Sequence, residues 1–283
     1  MTPIVLGLLS AFLFGLMTIF VRLALQSGVS AEAGTLFTVL PALAVTGIVA
    51  LFASDWNLEG LWPFLLAGLL APGASQIFFT FGVRDAGASR TSVVTGTAPL
   101  FAVGIAFLFL GEPVVAGLVV GAALIVGGGI VLASERSRPV HFRRIGLVFA
   151  LLGTIAFAVR DNLVRWLGTQ GEAVDPGAAA FATMATGAAV AVGFAALTRA
   201  RLTRSGAVAF LPAALCYGAS YVLLFEAFYR GKVSVVSPIV ATESLWGVTL
   251  SWLLLRKSEH VGPRLVLGAV LVVAGGVLIG VYR

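Results

Sequence analysis

The most constraining feature of this 283-residue sequence is a series of ten apolar runs, each near the roughly 20 residues that a membrane-spanning helix needs. Lipid offers the backbone no hydrogen-bond partners, so each run predicts one transmembrane α-helix that satisfies its own backbone. Short polar connections make neighbouring helices antiparallel. The predicted spans are residues 3–25, 31–53, 61–83, 91–110, 114–134, 144–167, 177–198, 206–229, 233–255 and 262–282.

Composition excludes several classes of protein. The chain is 59% hydrophobic and 11% charged, whereas soluble domains carry about 25% charged residues. A soluble enzyme, a disordered chain and a nucleic-acid-binding domain are therefore excluded. The net charge is +6, and the basic residues lie between the apolar runs, not on a soluble face. His141 and His260 lie in polar loops and Cys216 stands alone, which is too little for a metal cluster. Without a catalytic motif, the sequence predicts no enzyme, no cofactor, no metal and no nucleic-acid partner.

The two halves of the sequence resemble each other. Residues 121–132 and 268–279 share six of twelve identities at an offset of 147, which also pairs Glu112 with Glu259. Shared apolar, glycine-rich composition is the alternative explanation. Duplication predicts two repeats, residues 1–135 and 142–283, within one transporter domain. Five spans per repeat make the repeats inverted, so the predicted fold is an all-α integral membrane protein with a central cavity at the membrane midplane.

Basic residues predict the orientation, because they concentrate on the cytoplasmic side of membrane proteins. Four lie on one face, namely Arg165, Arg230, Lys232 and Arg283, and both termini are predicted on this outer side. Thirteen lie on the opposite, predicted cytoplasmic face: Arg22, Arg84, Arg90, Arg136, Arg138, Arg143, Arg144, Arg199, Arg201, Arg204, Arg256, Lys257 and Arg264.

Charged residues inside the spans are the first candidates for function, since burying them in lipid is costly. Glu243 lies near the middle of the ninth span with no basic residue predicted at its depth. Such a carboxylate stays protonated, binds a substrate ammonium or carries a proton. Arg160, Asp161 and Glu226 form an outer cluster. That cluster is either a structural ion pair, such as Arg160 with Glu226, or a gate or ion network.

Aromatic and polar residues at helical spacing predict the cavity walls. Tyr217, Tyr221 and Phe225 recur every four residues, so they share one helix face. Pro99 and Pro238 interrupt the fourth and ninth spans, and the freed carbonyls need polar partners or water. The remaining wall candidates are Phe14, Met17, Thr18, Gln76, Phe78, Phe79, Thr80, Thr242 and Trp246.

Three segments resemble a known family. Pro99–Phe101, Leu108–Glu112 and Gly121–Gly128 are similar to the EamA-type signature of the drug/metabolite transporter superfamily, and Glu259 with Gly268–Gly276 forms the second copy. The sequence most resembles the YddG-type amino-acid exporters of bacterial inner membranes. The resemblance implies ten helices around a cavity, alternating access by rocking helices, and export of amino acids, including aromatic ones.

Together with this resemblance, which implies the amino-acid substrate and the inner membrane, these patterns predict a multi-pass secondary exporter of amino acids and similar small metabolites. Its partners are the substrate and membrane lipid, and the sequence is compatible with a monomer or a homodimer. The alternatives are an exporter of drug cations or other metabolites on the same fold, a non-transporting scaffold, and an intramembrane enzyme. The predicted substrate-binding residues are Gln76, Phe79, Tyr221, Phe225, Thr242, Glu243 and Trp246, with Glu243 facing the substrate ammonium.

Overall fold

The computed structural model describes residues 2–52, 58–101, 104–105, 116–133, 142–170, 174–231, 236, 239–255 and 261–282, and this part of the chain is helical and contains no strand. The principal helices are α1 (Pro3–Gln26), α2 (Ala31–Ala50), α3 (Leu58–Gly68), α4 (Ser75–Ala86), α5 (Ala88–Thr95), α6 (Ala116–Ala133), α7 (Ile145–Gln170), α8 (Pro176–Leu197), α9 (Arg204–Arg230), α10 (Glu243–Leu254) and α11 (Pro263–Tyr282).

Most predicted spans coincide with observed helices. Within the described residues, seven helical stretches are long and apolar enough to cross a membrane: α1, α2, the unit from Gly60 to Ala86, Ile145–Val164 of α7, α8, α9 and α11. Local capping explains where several of them begin. The side chains of Thr2, Ser30 and Thr203 each accept a hydrogen bond from the backbone N–H three residues later, which satisfies a donor that the first helical turn leaves free.

The helical unit observed at the predicted span 61–83 is longer than predicted, from Gly60 to Ala86, and it is kinked. A π-helical segment, Leu69–Ala74, joins α3 to α4, and Ala71 within it has an extended backbone (φ −144°, ψ 122°). Pro72 follows, so this turn lacks one backbone donor. The hydroxyl of Tyr221 in α9 donates to the Ala71 carbonyl at 2.8 Å. A side chain from another helix thus satisfies a carbonyl at the kink.

The predicted spans at 91–110 and 233–255 are interrupted helices. Helix α5 ends at Thr95, a turn occupies Gly96 and Thr97, and helical backbone resumes just before Pro99. In the second half, Ala241 and Thr242 form a turn before α10 begins at Glu243. The structure therefore confirms the interruption predicted near Pro99. The predictions for Pro238, Glu112, Glu259 and the connection at 134–141 concern residues outside the described part.

Contacts between the two halves occur in matched pairs. Helix α1 packs on α9 as α7 packs on α4, α2 packs on α9 as α8 packs on α3, and α1 packs on α10 as α7 packs on α5. Helices α2 and α8, α5 and α10, and α6 and α11 pack on their own counterparts. A two-fold relation between the halves requires this pattern. The repeat boundaries themselves stay a prediction.

Small residues bring these helices close together. A Cβ atom on Gly121 of α6 would lie 2.8 Å from the Gly275 carbonyl of α11, and one on Gly128 would lie 2.7 Å from the Gly268 carbonyl. The offset of 147 relates the two contacts, because it pairs Gly121 with Gly268 and Gly128 with Gly275. Glycine at these four positions therefore permits backbone contact along the whole α6–α11 crossing.

Apart from the cavity residues described below, several charged residues of the described part lie at the two ends of the helix bundle. At one end, Arg22 donates to the carbonyls of Val83 and Arg84, and Arg84 makes two hydrogen bonds to Asp85 at 2.9 and 2.7 Å. The opposite end contains Gly231 packed against Pro3, next to Arg230. The geometry thus groups these residues as the sequence did, while the side of the membrane that each end faces stays a prediction.

Candidate functional site

The described residues enclose a cavity among α1, α4, α7, α9 and the interruptions beside α5 and α10. Its volume is about 60 Å³. Aromatic and aliphatic side chains form most of its wall, and three charged side chains lie among them. The lining residues are Phe14, Met17, Thr18, Phe79, Thr95, Ala98, Pro99, Phe157, Ala158, Arg160, Asp161, Asn162, Leu224, Phe228, Val240, Ala241 and Glu243.

The cavity is small compared with sites that hold organic molecules. Sites for small organic ligands usually enclose roughly 300–1,000 Å³, whereas this cavity has room for a few water molecules. A ligand of amino-acid size therefore enters only if the lining helices move apart. The interrupted helices border the cavity, at Thr95 to Pro99 and at Val240 to Glu243, and their turns are places where such movement needs few broken helical hydrogen bonds.

Three charged side chains share the cavity, which corrects the expectation that no basic residue lies at the depth of Glu243. Arg160 and Asp161 of α7 line the same wall space as Glu243 of α10. The Nε atom of Arg160 lies 3.1 Å from Oδ1 of Asp161. The sequence could not reveal this arrangement, because depth along one helix does not determine which neighbouring helix faces it.

Aromatic rings surround the Arg160 guanidinium. Its central carbon lies 4.7 Å from the ring centre of Tyr221, 5.6 Å from that of Phe225 and 5.7 Å from that of Phe157. Tyr217, Tyr221 and Phe225 form a continuous column, with ring centres 5.5 and 5.3 Å apart. The predicted common face of these three residues is confirmed. Cation–π attraction therefore helps to stabilise a guanidinium that is only 1% exposed.

Glu243 occupies a special backbone position as well as the cavity wall. It is the first residue of α10, and Thr242 before it turns its hydroxyl to the Ile239 carbonyl. The N-terminus of a helix carries partial positive charge, which favours a nearby carboxylate. Helix α5 ends at Thr95, which also lines the cavity, and Gly96 after it packs against Ser244 of α10. The ends of two interrupted helices thus meet beside the site.

The structure brings together only part of the predicted binding set. Phe79 and Glu243 line the cavity, and Tyr221 and Phe225 lie behind Arg160 as its aromatic support. Phe14, Met17 and Thr18, predicted as wall residues, also line the cavity. The role of each in binding stays a prediction.

Three other predicted binding residues lie outside the cavity lining. Gln76 is buried, and neither atom of its amide has a hydrogen-bond partner among the described residues. Thr242 is partly buried and bonded to its own turn. Trp246 is 38% exposed and packs edge-on against Phe12, with ring centres 5.1 Å apart. Trp246 lies three residues after Glu243, close to the same face of α10, but its ring packs on Phe12 of α1 and does not line the cavity.

The outer cluster divides into two separate ion pairs. Arg160 pairs with Asp161, whereas Glu226 accepts a hydrogen bond from Nε of Arg230 at 2.6 Å, one turn along α9. The suggested Arg160–Glu226 pair is therefore not formed. Glu226 lies outside the cavity lining, so only two members of the predicted gate or ion network border the cavity.

Some lining residues were missed by sequence reasoning. Phe157 and Asn162 lie three residues before and two after Arg160, and the Asn162 amide donates to the Ala158 carbonyl at 2.8 Å. Thr95 and Phe228 were missed as well, as were the smaller or aliphatic residues Ala98, Ala158, Leu224, Val240 and Ala241. A signal existed for Phe157, since an aromatic residue one turn from a charge inside a span marks the same helix face. The positions of Asn162, Thr95 and Phe228 depend on tertiary packing.

Comparison with known proteins places this geometry in context. The model of the EamA-like transporter family matches residues 1–134 and 144–281. No curated protein matches the chain. A solved structure described as "Crystal structure of protein" superimposes with a TM-score of 0.70 at 18% identity, covering 98% of this chain and 95% of its own. At that identity the similarity concerns the fold alone.

Proposed function

Because the chain belongs to the EamA-like transporter family, we propose that it is a secondary transporter that exports amino acids, including aromatic ones, and similar small metabolites across the bacterial inner membrane. Members of this family are membrane transporters of small metabolites. The amino-acid substrate, the direction of transport and the inner membrane are the proposed part.

The observation that carries the proposal is the composition of the central cavity. Asp161 and Glu243 provide carboxylates that suit an ammonium group, and Arg160 provides a cation that suits a carboxylate. Phe14 and Phe79 provide apolar ring surfaces for a substrate side chain. Charge–charge attraction is stronger in such a partly desolvated space than in water. An amino acid offers all three complementary groups in one small molecule.

Alternating access is the proposed mechanism. The cavity is too small for a substrate as it stands, so loading requires movement of its walls. The halves have matched contacts, and in transporters built from such repeats one half rocks against the other. A substrate that binds one arrangement more tightly than the other shifts the population toward the arrangement it prefers. Gln76, Thr242 and Trp246 would contact the substrate only after such a rearrangement.

The proposed gate is at the outer side of the cavity. Arg160 and Asp161 border the space and Glu226 pairs with Arg230 near the opposite end from Arg22 and Asp85. The excess of basic residues at the Arg22 end supports a cytoplasmic location for that end. Both termini then lie on the periplasmic side.

A drug-cation exporter is the second candidate. Two carboxylates in an aromatic cavity also suit a lipophilic cation, through ion pairing and cation–π contacts. Arg160 disfavours this candidate, because a buried guanidinium repels a second cation that brings no acceptor.

Flux through proteoliposomes tests the proposal. Purified protein should accumulate radiolabelled phenylalanine in vesicles preloaded with unlabelled phenylalanine, and Glu243→Gln should reduce this exchange while leaving expression and thermal stability near normal. Glu32→Gln is the matched control, since Glu32 lies at the first turn of α2, away from the cavity. Glu243→Gln should reduce the exchange because it removes the negative charge that would pair with the substrate ammonium.

The outcomes separate the possible roles of Glu243. A proton-carrying role predicts that Glu243→Gln loses pH dependence but still exchanges substrate. If Glu243→Gln exchanges phenylalanine at the wild-type rate from acidic to mildly alkaline pH, Glu243 has neither role and only packs in the cavity wall. Absence of amino-acid exchange by the wild-type protein, together with uptake of a lipophilic cation, would favour the second candidate.

A further inference from the structure

Arg160 is the most deeply buried charged group that borders the cavity. Its side chain is 1% exposed, yet it lines the cavity together with Asp161. Burying a guanidinium is costly unless its N–H groups find acceptors. Arg160 therefore needs either a complete set of partners within the protein or a ligand that supplies them.

The described residues do not supply that complete set. Within the described residues, Nε and Nη2 of Arg160 make no hydrogen bond, and Oδ1 of Asp161 makes none either. Asp161 stands 3.1 Å from Nε without the orientation of a hydrogen bond. The neighbouring rings of Tyr221, Phe225 and Phe157 offer π faces to the cation but no acceptor atom for a guanidinium fork.

A carboxylate is the group that fits this deficit. The planar guanidinium donates two parallel hydrogen bonds to a carboxylate, which is its strongest pairing in proteins. Asp161 follows Arg160 directly and borders the same cavity, as does Glu243 at the beginning of α10. Positive and negative groups thus border one small space, as the adjacent ammonium and carboxylate of an α-amino acid require.

We propose that Arg160 binds the substrate carboxylate while Asp161 and Glu243 hold the ammonium, so that the site selects zwitterionic α-amino acids over amines. This inference rests on the proposed function and deepens it by naming the group that determines specificity. It assigns Arg160 to substrate binding in addition to its place in the proposed gate. The aromatic rings behind Arg160 hold the guanidinium in place and limit its movement.

Competition against phenylalanine exchange tests the inference in the wild-type protein. Phenethylamine lacks the carboxylate of phenylalanine, and hydrocinnamate lacks the ammonium. Buried sites built around hydrogen bonds reject analogues that leave a group unpaired by large factors, so each analogue should compete at least about 100-fold more weakly than unlabelled phenylalanine. Phenethylamine that competes as well as phenylalanine would overturn the inference while leaving the transport function intact.

Variants of Arg160 locate the selectivity. Arg160→Gln should lose most of the preference for phenylalanine over phenethylamine, and Arg160→Lys should retain part of it because it keeps a positive charge. Arg204→Gln is the control, since it removes the same charge from an exposed residue at the beginning of α9. If Arg160 has only a structural role, Arg160→Gln should lower the thermal stability and leave the folded protein's preference for phenylalanine over phenethylamine unchanged.

The experiment distinguishes this inference from the function on which it rests. Wild-type protein that exchanges neither phenylalanine nor any other amino acid contradicts the proposed function. Wild-type protein that exchanges phenylalanine, with no loss of competition when the carboxylate is absent, contradicts the inference alone. If Arg160→Gln does not fold, the wild-type competition data still decide between these outcomes.

Discussion

At the scale of single residues, two similar side chains in α9 have different hydrogen-bonding states. Tyr217 and Tyr221 are one turn apart and both are fully buried. The Tyr221 hydroxyl donates to the Ala71 carbonyl at 2.8 Å, whereas the Tyr217 hydroxyl has no partner among the described residues. The Ala71 carbonyl belongs to an interrupted helical turn, so it depends on Tyr221 for an additional partner.

Replacing each tyrosine by phenylalanine separates these two states. We expect Tyr221→Phe to lower stability, by about 0.6–1.7 kcal/mol, which is the range for side-chain hydrogen bonds between membrane helices. Tyr217→Phe should have little effect or raise stability slightly, because it removes a buried polar atom without a partner. Thermal unfolding in detergent without substrate measures both. Equal destabilisation by the two substitutions would contradict the assigned hydrogen bond.

At the scale of elements, the crossing of α6 and α11 depends on which glycine faces the partner helix. Gly127 and Gly128 are neighbours in α6, but a Cβ atom on Gly128 would lie 2.7 Å from the Gly268 carbonyl, and one on Gly127 would meet nothing within 4 Å. Gly121 meets the Gly275 carbonyl in the same way. One face of α6 is therefore in backbone contact with α11, and the adjacent face is open.

This difference predicts opposite effects for two adjacent alanine substitutions. Gly128→Ala should reduce thermal stability, because the added methyl group forces the helices apart at a cost of about 1–3 kcal/mol. Gly127→Ala should be neutral or stabilising, since alanine favours the helix by up to about 1 kcal/mol over glycine. Unfolding midpoints in one detergent provide the comparison. A larger loss for Gly127→Ala would mean that α6 is rotated relative to the described packing.

At the scale of the whole molecule, the bundle has two chemically different ends. Helix α2 starts next to the Arg199–Arg201 turn and ends near the beginning of α8, so Arg201 and Phe52 lie at opposite ends. Phe52 is 84% exposed and Arg201 is also exposed. The positive-inside bias predicts that the Arg201 end faces the cytoplasm.

Cysteine labelling in intact cells tests this orientation. In a Cys216→Ala background, Phe52→Cys should react with a membrane-impermeant thiol reagent, and Arg201→Cys should react only after the cells are permeabilised. The background protein without an introduced cysteine is the control for unspecific labelling. Labelling of Arg201→Cys in intact cells would reverse the proposed topology and would place both termini in the cytoplasm.

The sequence by itself determined the helices, because long apolar runs have no other stable form in lipid. The offset of 147 pairs Gly121 with Gly268 and Gly128 with Gly275, and it predicted a repeat. At the α6–α11 crossing, Gly121 meets Gly275 and Gly128 meets Gly268. The column of Tyr217, Tyr221 and Phe225 followed from the helical period alone. These properties are local or periodic, so one chain segment at a time contains them.

Only the tertiary structure decided which charges meet. Arg160 was paired with Glu226 as one possibility in the sequence, whereas packing places Arg160 beside Asp161 in the cavity that also holds Glu243. Trp246 was a candidate for binding, yet the rotation of α10 places it against Phe12. Helical spacing defines faces within one helix, but the rotation and neighbours of each helix come from packing all of them together.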